Sequence, residues 1–271
     1  MTLETPTMRH RFAAQSVIEE LLQQQSNLPP RSPLARFFGR SPLNADTAPW
    51  YVGAKGERVV GLILETLPPE WTVFHALPVG AHGSDIDHLV VGPGGVFTIN
   101  TKHHSGKEVW VGKQCMCVAG QKVHHIRNAE FEAARVTKLV RERMPLLTPV
   151  QPVIALVDPK QLIIREKPEQ VKVVDAQHLR TWLMKLHPVL TEPELMELDS
   201  IIDSPETWLP VAATEPGDVM ARFNALDADV HAAGVRRVLW ARLGAAATIG
   251  VGVVVVPPVT VALVALMTGA G

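Results

Sequence analysis

Tyrosine occurs once and cysteine twice in these 271 residues, and neither sign of charge dominates, with 26 Lys and Arg against 27 Asp and Glu. Each shortage excludes something. Cys115 and Cys117 are too few for a disulfide framework. Two positions apart on a strand, they share a face, and such neighbours rarely bridge. They read as reduced packing residues, as suits a cytoplasmic domain. One tyrosine and seven phenylalanines give poor support to base-stacking platforms. A formal net charge of -1 rules out a chain-wide basic field, so any polyanion must meet a local patch. Met1 to Arg11 carries Glu4, Arg9 and Arg11 with no apolar core behind them, which is not a secretory signal pattern. No Cys or His spacing matches a common zinc motif.

Charge is also missing from one end. After Arg242 no charged residue occurs up to Gly271. As a helix, Leu243 to Gly271 extends roughly 43 Å, more than the hydrocarbon thickness of about 30 Å. Pro257-Pro258 divides it into halves too short to span alone, so one kinked span is expected, with a re-entrant hairpin as the alternative. Arg236, Arg237 and Arg242 precede the run and keep the N-terminal bulk cytoplasmic by the positive-inside rule. Small residues from Gly244 to Gly252 permit close helix packing and a homo-oligomer.

What remains divides into a polar leader with a short helix (1–48), a compact α/β domain (49–210), a helical connector (211–236) and the apolar membrane anchor (237–271). In the leader, Ala13, Val17, Leu21 and Leu22 predict a helix over about Phe12 to Gln25. Arg31, Arg36 and Arg40 follow among prolines and serines, as in a flexible basic arm. In the domain, helices are expected at Ala54–Leu67, Asn128–Met144 (with Asn128 as N-cap), Ala176–Leu186 and Glu192–Ile202. Strands are expected at Trp71–Leu77, Ile86–Val91, Val96–Thr101, Val109–Val111, Met116–Val118, Pro152–Val157 and Val171–Val174. The order implies a mixed central sheet flanked by helices.

The turn Gly92-Pro93-Gly94-Gly95 makes a hairpin of the second and third strands. With Val91 opposite Val96, Asp87 falls opposite Asn100 and Asp85 opposite Lys102. Alternation then sets all four on one face. Carboxylates gathered beside a lysine are costly unless a cation balances them. Mg²⁺ or Mn²⁺ does so with one or two carboxylates plus substrate phosphate.

Three blocks extend this pattern: Gly53-Ala54-Lys55-Gly56-Glu57, Asp85-Ile86-Asp87-His88-Leu89-Val90-Val91-Gly92-Pro93, and Gly95-Val96-Phe97-Thr98-Ile99-Asn100-Thr101-Lys102. In this order they resemble the nuclease-related domain called NERD, over residues 50 to 160. The resemblance implies the PD-(D/E)XK, restriction-endonuclease-like fold. It also implies a catalytic set of Glu57, Asp87, Asn100 and Lys102, with Glu57, Asp87 and Asn100 at a metal ion. The third-strand acid of the family is here the amide Asn100, which ligates without charge. Asp85, His103, His104 and Lys55 are the expected substrate contacts. His124-His125 can serve the same groove, and Lys107, Lys113, Lys122 and Arg127 are candidates for a phosphate-binding rim. His88, facing away from Asp87, is assigned a structural hydrogen bond. The expected function is a membrane-anchored, metal-dependent nuclease on DNA. The alternatives are a non-catalytic module for nucleic acid or another phosphate ligand, and a membrane-associated interaction scaffold.

Overall fold

A computed structural model of the chain describes residues 7–79, 85–210 and 216–268, with side chains up to Leu243. The chain forms two units. The first comprises residues 1–26 and 46–221, the second residues 27–45 and 222–271.

Among the described residues, nine strands lie in the first unit. β1 (Thr72–Pro78), β2 (Asp85–Gly92), β3 (Gly95–His103), β4 (Glu108–Val111), β5 (Met116–Val118) and β6 (Gln121–Val123) are followed by β7 (Gln151–Val157), β8 (Gln161–Ile164) and β9 (Lys172–Asp175). The main sheet has the order β1-β2-β3-β7-β9, and a smaller one the order β6-β5-β4-β8. β1, β2 and β3 run antiparallel in turn, whereas β3, β7 and β9 pair in parallel. The α/β architecture with mixed sheets and flanking helices is therefore as the pattern implied, but with two sheets.

The helices are α1 (Gln15–Ser26), α2 (Pro33–Phe37), α3 (Thr47–Leu64), α4 (His125–Arg141), α5 (Ala176–Leu183), α6 (Glu192–Asp203) and α7 (Pro216–Thr268). On one face of the main sheet, Val60 and Leu64 of α3 and Leu179 and Leu183 of α5 cover Val90, Phe97, Ile99 and Val153. On the other, Ala133, Val136 and Val140 of α4 and Leu198 and Ile202 of α6 cover Phe74, Leu89, Val91 and Val96. Burying such side chains is worth about 1.5–3 kcal/mol each.

Several boundaries move for physical reasons. α3 starts seven residues before Ala54, because Pro49 sits in its first turn, where a missing N–H costs nothing. α4 starts at His125 rather than Asn128, whose backbone N–H already donates to the His124 carbonyl inside the first turn. The helix expected over about Phe12 to Gln25 is α1, and it is not part of a loose leader, since its Ile18 and Leu21 are fully buried in the first unit. Residues 27–45 belong with α7 in the second unit.

The expected hairpin register is present. Val91 pairs with Val96, and pairing continues outward to His88 and Ile99. Gly92 is required here, because a Cβ would lie 2.2 Å from the Trp71 ring. The start of the connector, residues 211–215, lies outside the described residues. So do the side chains of the apolar run from Gly244, on which the membrane-anchor expectation rests. Among the described residues no helix is long and apolar enough to cross a membrane.

Candidate active site

Asp87 stands where two ladders fail. In the β1–β2 ladder, His75 pairs with His88 and Leu77 with Ile86, but Ala76 and Asp87 form no pair. The β2–β3 ladder ends at His88 and Ile99, one residue short of Asp87. Ala76 has φ +50°, in the left-handed region that non-glycine residues avoid. Its carbonyl turns out of the sheet and accepts from the Arg11 guanidinium at 2.6 Å. The Asp87 carboxylate fills the gap between β2 and β3, accepting the Thr101 backbone N–H at 2.6 Å.

This break corrects one expectation. Strict alternation sets Asp85 and Asp87 on one face with Asn100 and Lys102. Across the break the alternation slips, and Ile86 joins Leu89 and Val91 in the cluster beneath α4. Asp85 turns instead to α1, where the Ser16 hydroxyl donates to it and Arg11 stands close by. It does not share the face of Asn100 and Lys102.

β3 stays regular here, pairing with β7 from Phe97 to His103. Asn100 and Lys102 therefore face α4, while Thr101 and His103 face α3, where Gly56 approaches them closely. The Asn100 amide meets a residue the sequence reading missed. Its Nδ2 donates to both carboxylate oxygens of Glu132 on α4, at 2.8 and 2.6 Å. With Glu132 ionised, that contact fixes the amide's orientation, since the reverse would set oxygen against carboxylate. The Asn100 Oδ1 is buried and has no hydrogen-bond partner. One signal for Glu132 was available. It lies three residues after Ala129 and four before Val136, a charge inside the buried stripe of α4.

Glu57 reaches the same environment from α3. Only 7% of its surface is exposed, and burial raises its pKa well above the carboxylate range. Asp87 and Asp85 raise it further, while Lys102 opposes them. Burial also raises the pKa of Asp87, against the pull of Lys102 and the Thr101 N–H. For Glu132, burial pushes the value up to about 7, partly countered by the Asn100 bond, with Asp87 raising and Lys102 lowering it. The structure thus brings Glu57, Asp87, Asn100, Lys102 and Glu132 into one electrostatic site.

The other expected contacts are placed differently. The His103 Nδ1–H donates to the Val52 carbonyl at 3.0 Å, tying β3 to α3. Lys55 precedes Glu57 by two residues, so it projects roughly 200° around the helix from it. His104 and His125 meet through their Nε2 atoms at 3.3 Å, beside Lys102. Burial and that lysine hold the His125 pKa down to about 4, so the pair is neutral and shares one proton. His88 is fully buried, and its Nδ1 meets His75 Nδ1 at 2.8 Å. Of the expected phosphate rim, Lys113 pairs with Glu169 at 2.6 Å and Arg127 lies over the Phe131 ring. A depression of about 580 Å³ between Lys138, Arg141 and Pro149 includes none of the site acids.

Residues 52–157 match the nuclease-related domain, NERD. No curated protein and no solved structure matches the chain. The NERD segment runs from α3 to the end of β7, so it contains Glu57, Asp87, Asn100, Lys102 and Glu132. It omits Arg11 and Ser16, which approach Asp85 from α1 and the chain before it. The PD-(D/E)XK superfamily is consistent with the NERD family.

Among the described residues no group of three or more His, Cys, Asp or Glu side chains is gathered tightly enough to hold a metal ion. The donor set still fits a hard divalent cation. Mg²⁺ takes only one or two carboxylates and keeps waters and phosphate oxygens for the rest. Buried carboxylates with raised pKa values and an unpartnered amide oxygen are groups that such an ion relieves.

Glu132 supplies a stability test of this electrostatic reading. Between about pH 4.5 and 7 the unfolded chain has released the Glu132 proton and the folded chain has not. Ionised Glu132 therefore costs folding stability as pH rises through that window, by about 1–3 kcal/mol at pH 8. Glu132→Gln keeps an acceptor for Asn100 and removes the charge. In chelator, its Tm should exceed that of the parent at pH 8 by several degrees and match it at pH 4. Equal Tm values at both pH values would contradict the buried-charge account.

Proposed function

We propose that this chain is a membrane-anchored nuclease whose NERD segment hydrolyses phosphodiester bonds of DNA with Mg²⁺ or Mn²⁺. The observation that carries the reading is the buried set of Glu57, Asp87 and Glu132 around Lys102, with the Asn100 Oδ1 left open. Burying acids against one another is destabilising, and a chain tolerates it where a ligand offsets the charge. Asp87, Glu57 and Asn100 Oδ1 would hold the cation, which supplies charge neutralisation for the phosphate and an activated water. Lys102 stabilises negative charge growing on the phosphate oxygens. Glu132 is a positioning residue, since its carboxylate holds the Asn100 amide by Nδ2 and leaves Oδ1 for the cation. The Thr101 N–H fixes Asp87 in the same way. The apolar run from Leu243 anchors the domain at a membrane whose cytoplasmic side carries Arg236, Arg237 and Arg242.

A second reading draws on Asn100. With an amide where the family has an acid, the site has less charge for a cation, and a non-catalytic module for nucleic acid or another phosphate ligand follows.

Plasmid cleavage with Mg²⁺ and Mn²⁺ separates the two. Cleavage by the parent chain is expected, falling at least about a hundredfold in Lys102→Ala and in Asp87→Ala. No cleavage by the parent, with DNA still retained by both variants, would leave only the binding module. Calorimetry gives an independent check on the metal. Asn100→Asp alone sets a carboxylate against Glu132, where an amide N–H now bridges. Asn100→Asp combined with Glu132→Gln exchanges donor and acceptor and keeps the bond. The double variant should bind Mn²⁺ more tightly than either parent or Asn100→Asp. An affinity no higher than that of the parent would count against Asn100 as a metal ligand. For the anchor, the full chain should sediment with membranes and a chain ending at Gly234 should not. Full-length protein in the soluble fraction refutes it.

A further inference from the structure

Residues 27–45 fold onto α7 shortly before its charge ends. The Trp240 indole N–H donates to the Phe37 carbonyl at 2.9 Å. The rings of Phe37 and Phe38 lie 5.0 and 5.2 Å from that of Trp240 and 5.2 Å from each other. The Arg236 guanidinium donates to the Arg36 carbonyl at 3.3 Å, and Arg31 is ion-paired with Asp229. Gly39, at φ +74°, lets the backbones touch, since a Cβ there would lie 2.5 Å from the Ala233 carbonyl oxygen.

The resulting surface is both apolar and basic. Phe37 and Phe38 are 56% and 54% exposed, and Val235, Val238, Leu239 and Leu243 are exposed to similar degrees. Interleaved with them are Arg36, Arg40, Arg236, Arg237 and Arg242, while the acids of this unit are Asp227 and Asp229. In water such a surface is a liability. At the edge of a bilayer each part has a partner. Aromatic rings sit at headgroup depth, arginine stems lie along apolar surface with their heads in the phosphate layer, and leaflet anions attract the charge.

We propose that this unit is a collar for anionic phospholipid headgroups, formed by the arm at residues 31–40 around Trp240. The proposal rests on the reading of the apolar run as a membrane anchor. It assigns the arm a role apart from the nuclease-related domain. Charge complementarity favours anionic lipid, and the position of Trp240, three residues before the charge-free run begins at Leu243, sets the depth.

The test reconstitutes the full chain into phosphatidylcholine vesicles, alone or with phosphatidylglycerol, with either lipid brominated near the glycerol end of its acyl chains. Brominated phosphatidylglycerol should quench tryptophan emission severalfold more than an equal amount of brominated phosphatidylcholine. Trp240→Phe should remove most of that difference. Arg36→Gln, Arg40→Gln and Arg242→Gln together spare the Trp240, Arg236 and Arg31 contacts of the arm and should reduce the preference about tenfold, and salt should weaken it in the parent. Flotation of the chain with its vesicles but equal quenching by both lipids overturns the collar and leaves the anchor standing. A chain that fails to float overturns the anchor, and the collar with it. If the triple variant keeps its lipid preference and loses DNA retention, the arginines belong to nucleic acid and the collar is wrong.

Discussion

A carboxylate that leaves its own strand ladder organises the candidate site. Asp87 forms no backbone pair with β1 or β3, and its side chain accepts the N–H of Thr101 that a regular ladder would have used. The substitution keeps the donor satisfied, so the break costs little in hydrogen bonding. It moves negative charge into the slot between β2 and β3, where helices from both faces reach it. Glu57 comes from α3 on one side and Glu132 from α4 on the other. In an unbroken sheet the strands themselves would separate these two acids. Lys102 offsets the accumulated charge, and burial makes the remainder expensive.

The Asn100–Glu132 contact sets an amide and a carboxylate side by side at the site. β3 presents an amide where the related family presents a carboxylate, and α4 supplies a carboxylate within hydrogen-bonding distance of it. Charge and oxygen donor are divided between two residues. The amide keeps a buried oxygen without a hydrogen-bond partner, and the acid behind it has its pKa near neutrality. Natural chains concentrate such locally unfavourable choices where function demands them.

Much of this arrangement was legible in the sequence. The Pro-Gly-Gly turn fixed the pairing of Val91 with Val96, and alternation along β3 correctly sets Asn100 and Lys102 on one face. Counting failed at Asp85, because Ala76 and Asp87 drop out of the β1–β2 ladder together and both strands change face across the gap. Ala76 gives no warning in its own residue type. β6 and β8 were missed for different reasons. Gln121–Val123 is short and polar, and Gln161–Ile164 exists only because it pairs in parallel with β4 far back in the chain. Glu132 lies outside the three sequence blocks, and its place in the stripe of Ala129 and Val136 is the feature that sets it apart. In the leader, the stripe of Ala13, Val17, Leu21 and Leu22 marks the helix but not its depth, and Leu21 and Leu22 are core residues together with Ile18.

The arm that carries Phe37 has its partner much further along the polypeptide, with Arg36 and Arg236 separated by 200 positions. At roughly 5–20 residues per second, about 10–40 s of ribosome time pass between making the two. α1 and α3, which flank the arm in sequence, can join the first unit during that interval. The exposed Phe37 and Phe38 must wait for α7. The nascent chain thus carries an apolar loop that is unpartnered until α7 has been made, a natural handhold for a chaperone.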